Sequence, residues 1–102
     1  MELLIGAEVE SLPELKKNVR ISNRVGLHAR PAAVFVKAAN FFKAEIAVEK
    51  EGREVDAKSI LGILSLGIEQ DSIITIKATG EDAEQALQRL VDLVNNKLGE
   101  SE

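Results

Sequence analysis

The sequence predicts an α+β fold, an open-faced β-sandwich of order β-α-β-β-α-β-α, in which a four-stranded antiparallel sheet carries three helices on one face. Two observations carry this expectation. Residues on either side of Glu51-Gly52 alternate strictly between apolar and polar, as half-buried strands do, while three other stretches repeat their apolar residues at helical spacing. A third sets the scale: 102 residues make one compact domain with one core.

The elements follow in order. Residues 1–18 read as an N-terminal extension, with Ile5, Val9 and Leu12 on one face of a short helix that Pro13 ends. Residues 19–102 form the domain. Val19-Arg20-Ile21 is a brief strand, and Asn23 to Gly26 a loop. Ala29 to Phe42 is a helix whose core face carries Val34, Phe35, Ala38, Phe41 and Phe42. The hairpin comes next: Glu45-Ile46-Ala47-Val48-Glu49, a turn at Glu51-Gly52, then Arg53-Glu54-Val55-Asp56. Ser59 opens a short apolar helix that Gly67 closes. Ser72 to Ala78 is the last strand, with Ile73, Ile74 and Ile76 as its bulk. Asp82 is placed to cap a final helix on which Ala83, Leu87, Leu90, Val94 and Leu98 share a face, with Lys97 and Gly99 at its end.

Composition narrows the function. A net charge of −4 disfavours nucleic acid or an anionic membrane surface, both of which demand surplus Lys and Arg. Three Phe are the whole aromatic content, so no platform for stacking bases is expected. Without Cys, and with a single His, neither disulfides nor a structural zinc site is expected, and no metal or cofactor is called for. No apolar run approaches the ~18 residues that span a bilayer, and the first residues lack the basic start of a secretory signal. The expected setting is cytoplasmic, without membrane insertion.

The chemistry concentrates in Gly26-Leu27-His28-Ala29-Arg30-Pro31-Ala32-Ala33. Proline suits a first helical turn because its missing N–H has no intrahelical partner there. His28 therefore stands at a helix entrance, where unpaired amides and the positive end of the helix dipole favour an anion. Arg30 can add forked hydrogen bonds to phosphate oxygens. Imidazole is nucleophilic near neutral pH, and a phosphorylated ring nitrogen remains a good leaving group. Gly26 permits a backbone that another residue would strain. Taken alone, the same residues also fit a His that helps cap the helix and an Arg that is merely solvated.

In the second segment, Asp56 to Ile68, the side chains of Ile60, Leu61, Ile63, Leu64, Leu66 and Ile68 spread beyond one core-facing stripe. Either some of them form an exposed docking patch or the short helix is wholly buried. Ser59 is an N-cap candidate, and phosphate there would put negative charge beside the apolar surface. On the first helix, Arg30, Ala33 and Lys37 lie opposite the core face, as a small and basic strip or an ordinary solvated one.

Gly26-Leu27-His28-Ala29-Arg30-Pro31-Ala32 and Lys58-Ser59-Ile60-Leu61-Gly62-Ile63-Leu64-Ser65-Leu66-Gly67 together resemble the two signatures of HPr, the histidine-containing phosphocarrier family of the bacterial phosphotransferase system. The resemblance covers about Val19 to Leu98. It implies a phosphocarrier with a covalent phosphohistidine intermediate, not a turnover enzyme. Phosphorylated enzyme I would donate to His28 Nδ1, sugar-specific IIA domains would receive, and Arg30 would steady the phosphate. Ser59 matches the serine modified by HPr kinase/phosphorylase in many relatives, which adds that kinase and a catabolite-control regulator as expected partners. Ala29, Ala33, Lys37, Ile60, Leu61 and Leu64 fall on the family's docking surface. A close alternative is the nitrogen-related paralogue, which shares the histidine loop and serves a regulatory relay. Two departures stand out: Val25 replaces a residue that is often polar, removing one auxiliary phosphate contact, and the extension is longer than is usual.

Overall fold

The computed structural model describes residues 13–99. Its elements are β1 (Leu15–Arg20), α1 (Ala29–Asn40), β2 (Glu45–Lys50), β3 (Arg53–Asp56), α2 (Ile60–Ser65), β4 (Ile73–Thr79) and α3 (Ala83–Asn95), followed by a 3-10 turn at Lys97–Gly99. The four strands form one antiparallel sheet in the order β1-β4-β2-β3. Helix α3 packs on β1 and β4, α1 lies beside both α3 and α2, and α2 packs on β3. This is the expected open-faced arrangement, with three helices on an antiparallel sheet.

Alternation explains the core. Ile46 and Val48 from β2 and Ile74, Ile76 and Ala78 from β4 point to the helices and are buried with Phe35, Leu90 and Val94. The residues between them face away, where the Lys77 ammonium lies 2.8 Å from both Glu49 and Glu54. Hydrogen bonds to Glu49 and then Glu54 raise the Lys77 pKa, and the reciprocal bond lowers that of Glu49. Such solvated pairs add little stability but keep the open face polar. At the hairpin, Glu51 and Gly52 both have positive φ, 51° and 84°, which matches the right-handed twist of the strands.

Several local expectations change. β1 begins at Leu15, four residues before Val19, because Leu15 to Arg20 pair residue by residue with Ala78 to Ile73. Backbone pairing with β4 recruits Lys16, Lys17 and Asn18, whose side chains give no apolar signal. The helix expected around Ile5, Val9 and Leu12 lies outside the described residues. Helix α1 stops at Asn40 with Phe41 as its C-cap, still in helical conformation, yet Phe41 is 83% exposed because the buried face runs through Pro31, Ala32, Phe35 and Ala39, and Phe41 points away from it. Ile73, expected in the bulk of β4, is exposed because it stands on the outward side of the pleat. In α3 the buried face is Ala83, Ala86, Leu90, Val91 and Val94, and Leu87 is only partly covered.

Asp82 stands at the start of α3 but makes no side-chain cap. Its carboxylate instead accepts the amides of Lys43 at 2.9 Å and Ala44 at 2.8 Å, tying the entry of β2 to the turn after β4. Those bonds, that from Lys43 first, hold the carboxyl below its ordinary 3.8. A group whose folded pKa is depressed contributes stability above its unfolded value and loses it as pH falls through the folded one. Asp82→Ala is therefore expected to lower the urea midpoint at neutral pH, and the gap from the parent to close as pH falls below 3.8 toward the lowered folded value. Parallel urea titrations across that range check it; a gap independent of pH contradicts the tie.

Candidate functional site

The loop before α1 is held from two sides. Asn23 is fully buried, and its Nδ2 donates to the Gly26 carbonyl at 2.7 Å while the Gly26 amide donates to the Asn23 carbonyl at 3.2 Å. Next, the Leu27 amide donates to the Ile68 carbonyl at 2.9 Å, and the Leu27 side chain is fully buried. Gly26 has φ +62°, and a Cβ on it would lie 2.2 Å from the Ile68 carbonyl oxygen and 2.6 Å from Glu69 Cα. The glycine is thus needed twice, for conformation and for space.

His28 emerges from this anchored loop in extended conformation, φ −121° and ψ 159°, immediately before α1. Its side chain is half-buried and makes no cap hydrogen bond, which removes helix capping as the explanation for an imidazole here. The Ala32 amide reaches the His28 carbonyl at 3.5 Å. Pro31 has no amide hydrogen, and the amides of Ala29 and Arg30 open the helix with no carbonyl one turn earlier to bind. Among the described residues neither amide has a backbone acceptor, and with the helix dipole and the exposed Arg30 two residues on, His28 stands at a helix end that favours an anion. Among the described residues Arg30 makes no ion pair, so its guanidinium remains available to an anion. Ala29 itself has φ +48°, a left-handed conformation that costs a non-glycine residue ~1 kcal/mol or more. Val25 is 47% exposed and brings no donor.

Ala29, Arg30, Ala33 and Lys37 are all exposed on α1. On α2, which packs against α1, Leu61 is 77% exposed and Ile60 and Leu64 are partly so, while Ile63 is buried. The apolar spread of this helix is therefore a surface patch on one side and core on the other. Ser59 does cap α2: its Oγ accepts the Gly62 amide at 3.0 Å. It stands away from His28, because the carbonyl of adjacent Lys58 accepts Asn40 Nδ2 at 3.1 Å at the far end of α1. Twelve residues of helix separate the two ends, about 18 Å. Ser59→Ala is expected to lower stability by about 1 kcal/mol, read as a shift in urea midpoint at unchanged slope.

Asn23 carries part of this geometry and could have been suspected from an Asn three residues before a Gly in a loop. The contact of Gly26 with Ile68 and Glu69 had no sequence signal. Among the described residues no cluster of three or more His, Cys, Asp or Glu is placed to hold a metal, and no helix is long and apolar enough to cross a membrane.

Comparison with known proteins adds the context. Residues 15–96 match the family model described as the PTS HPr component phosphorylation site. The HPr-like protein Crh of Bacillus subtilis is 39% identical over 84 residues, 82% of this chain and 99% of the relative. The phosphocarrier protein HPr of Haemophilus influenzae is 46% identical over 78 residues, 76% of this chain and 92% of the relative. Among solved structures, HPr-C-His from Thermoanaerobacter tengcongensis superposes with a TM-score of 0.85 at 46% identity, covering 86% of this chain and 99% of that one.

Proposed function

Because this chain belongs to the HPr family of the phosphotransferase system, we propose that His28 takes a phosphoryl group from phosphorylated enzyme I and passes it to sugar-specific IIA domains. The observation that carries this reading is an imidazole without a capping role beside two unpaired amides and an unengaged guanidinium. An unprotonated ring nitrogen attacks phosphorus. The new N–P bond forms as the bond from phosphorus to the donor breaks, and the donor keeps that bonding pair. In the second transfer the acceptor's nucleophile attacks and the His28 ring leaves as a neutral imidazole once protonated. Throughout, the amides of Ala29 and Arg30 and the Arg30 side chain face the phosphoryl oxygens, where charge is greatest.

Docking is assigned to Ala29, Ala33 and Lys37 on α1 with Ile60, Leu61 and Leu64 on α2, since both exposed strips lie on adjoining helices. Ser59 is the proposed regulatory site for HPr kinase/phosphorylase, through which a catabolite-control regulator would recognise the modified form. A phosphate there keeps its place at the start of α2 but sets about two negative charges next to the apolar patch. The same reading places the protein in the cytoplasm.

Incubation of the full chain with enzyme I and phosphoenolpyruvate is expected to attach one acid-labile, base-stable phosphate, which then moves to an added IIA domain. Mass spectrometry under alkaline conditions reads both steps. No uptake from active enzyme I overturns the reading.

A further inference from the structure

Helix α2 has only six residues, and its last turn holds no basic side chain. A helix this short does not sustain itself, and its C-terminal carbonyls need partners from elsewhere. Those of Ile63 and Leu64 accept the amides of Leu66 and Gly67 at 3.2 and 3.3 Å. The next three in line are taken by two cations of the β2–β3 hairpin. Arg53 Nη1 donates to the Ser65 carbonyl at 3.1 Å, and Lys50 Nζ donates to those of Leu66 at 3.4 Å and Gly67 at 3.1 Å. Lys50 and Arg53 pair across the hairpin on either side of the Glu51-Gly52 turn, on the same side of the pleat as Val48 and Val55 and hence toward the helices. Among the described residues neither cation forms an ion pair, although Glu51 and Glu54 adjoin them in sequence. The hairpin thus supplies both the donors and the positive charge that the end of α2 lacks.

We propose that Lys50 and Arg53 are positioning residues for phosphotransfer: by pinning the end of α2 they hold the patch of Ile60, Leu61 and Leu64 in fixed register with His28. The next residue along the chain makes the connection. Ile68 follows the three pinned carbonyls directly, its side chain is fully buried, and its own carbonyl accepts the Leu27 amide at 2.9 Å, one residue before His28. The stretch 65–68 is therefore tied to the hairpin at one end and to the histidine loop at the other. A partner that docks on the patch must also reach the imidazole, so a shift of α2 separates two features that have to be met together. Lys50 and Arg53 donate to carbonyls of the chain itself, which places their effect on recognition and not on the chemistry at phosphorus. This inference rests on the phosphocarrier reading and on the docking assignment above.

Lys50→Met combined with Arg53→Met keeps apolar stems and removes both donors. Hydrogen exchange of the full chain is expected to accelerate about tenfold at the amides of Leu27, Leu66 and Gly67, with the β4 amides unchanged. In transfer from phosphorylated enzyme I, the KM for this protein is expected to rise about fivefold or more while kcat stays within about twofold. Lys50→Arg retains a donor and the charge and is expected to keep the parent's KM. Lys17→Met removes one charge from β1, at the opposite edge of the sheet from β3, and is also expected to leave KM unchanged. Should the double variant fail to fold, Lys50→Met alone carries the same comparison. Faster exchange with an unchanged KM makes the two cations structural caps and overturns the proposal. Unchanged exchange, or an equal rise in KM for Lys17→Met, overturns it as well. A parent protein that takes no phosphate from active enzyme I removes the phosphocarrier reading itself, and that failure shows before any variant is compared.

Discussion

Replacing His28 by Ala is expected to abolish enzyme I-dependent phosphate uptake completely and to leave the fold unchanged. The imidazole makes no cap bond, is only half-buried, and sits on an extended backbone that alanine adopts without strain. Its removal opens no sealed core cavity and orphans no cap, so the stability change is expected within ~0.5 kcal/mol. Loss of uptake then reports loss of the attacking nitrogen and not of the structure. Arg30→Ala provides the contrast. It keeps the nucleophile and both amides but withdraws a charge-assisted donor, so transfer is expected to slow by roughly 100-fold without disappearing. Alkaline mass spectrometry after a fixed exposure to phosphorylated enzyme I, with circular dichroism on the same samples, checks both variants. Retained label in the His28 variant would assign the phosphate to another nucleophile.

Gly26→Ala carries the second large effect, and this one is on stability. A Cβ at 2.2 Å from the Ile68 carbonyl oxygen and 2.6 Å from Glu69 Cα meets backbone, which cannot swing aside as a side-chain tip can. Relief requires moving the 23–28 loop or the 68–69 segment, which breaks the 2.9 Å bond between the Leu27 amide and the Ile68 carbonyl and drags His28 with it. Positive φ adds its own penalty. Together these are expected to cost 3 kcal/mol or more, at roughly the level that separates a tolerated substitution from an exceptional one. Against a typical domain stability of ~5–15 kcal/mol, a visible unfolded fraction follows in mild denaturant. Gly52→Ala isolates the clash: φ there is +84°, yet nothing lies within 4 Å of the added carbon. About 1 kcal/mol is expected at that turn. Urea titrations of the two variants settle the point, and equal losses would show that the Ile68–Glu69 backbone yields.

The two substitutions separate chemistry from scaffold, and the Asn23–Gly26 turn explains how the scaffold serves the chemistry. One buried side chain and one glycine hold the loop against a segment some forty residues further along the chain, so the helix entrance stays fixed beside His28.

Local periodicity by itself determined the hairpin, the helix after Pro31, the Ser59 cap and the motif around His28, because each depends on neighbours within about a turn of helix or one strand. Only tertiary structure decided which apolar residues were covered. Phe41 stands in water because the core covers the face of α1 that runs through Phe35 and Ala39, and Ile60, Leu61 and Leu64 form a surface because α1 and β3 cover only the other side of α2. Likewise β1 reaches back to Leu15, and the Asp82 carboxylate serves the Lys43 and Ala44 amides rather than its own helix, because the partners are supplied by elements distant in sequence. Spacing encodes the contacts a residue makes with its own element. Contacts with another element depend on where the folded chain brings that element, and no short pattern carries that information.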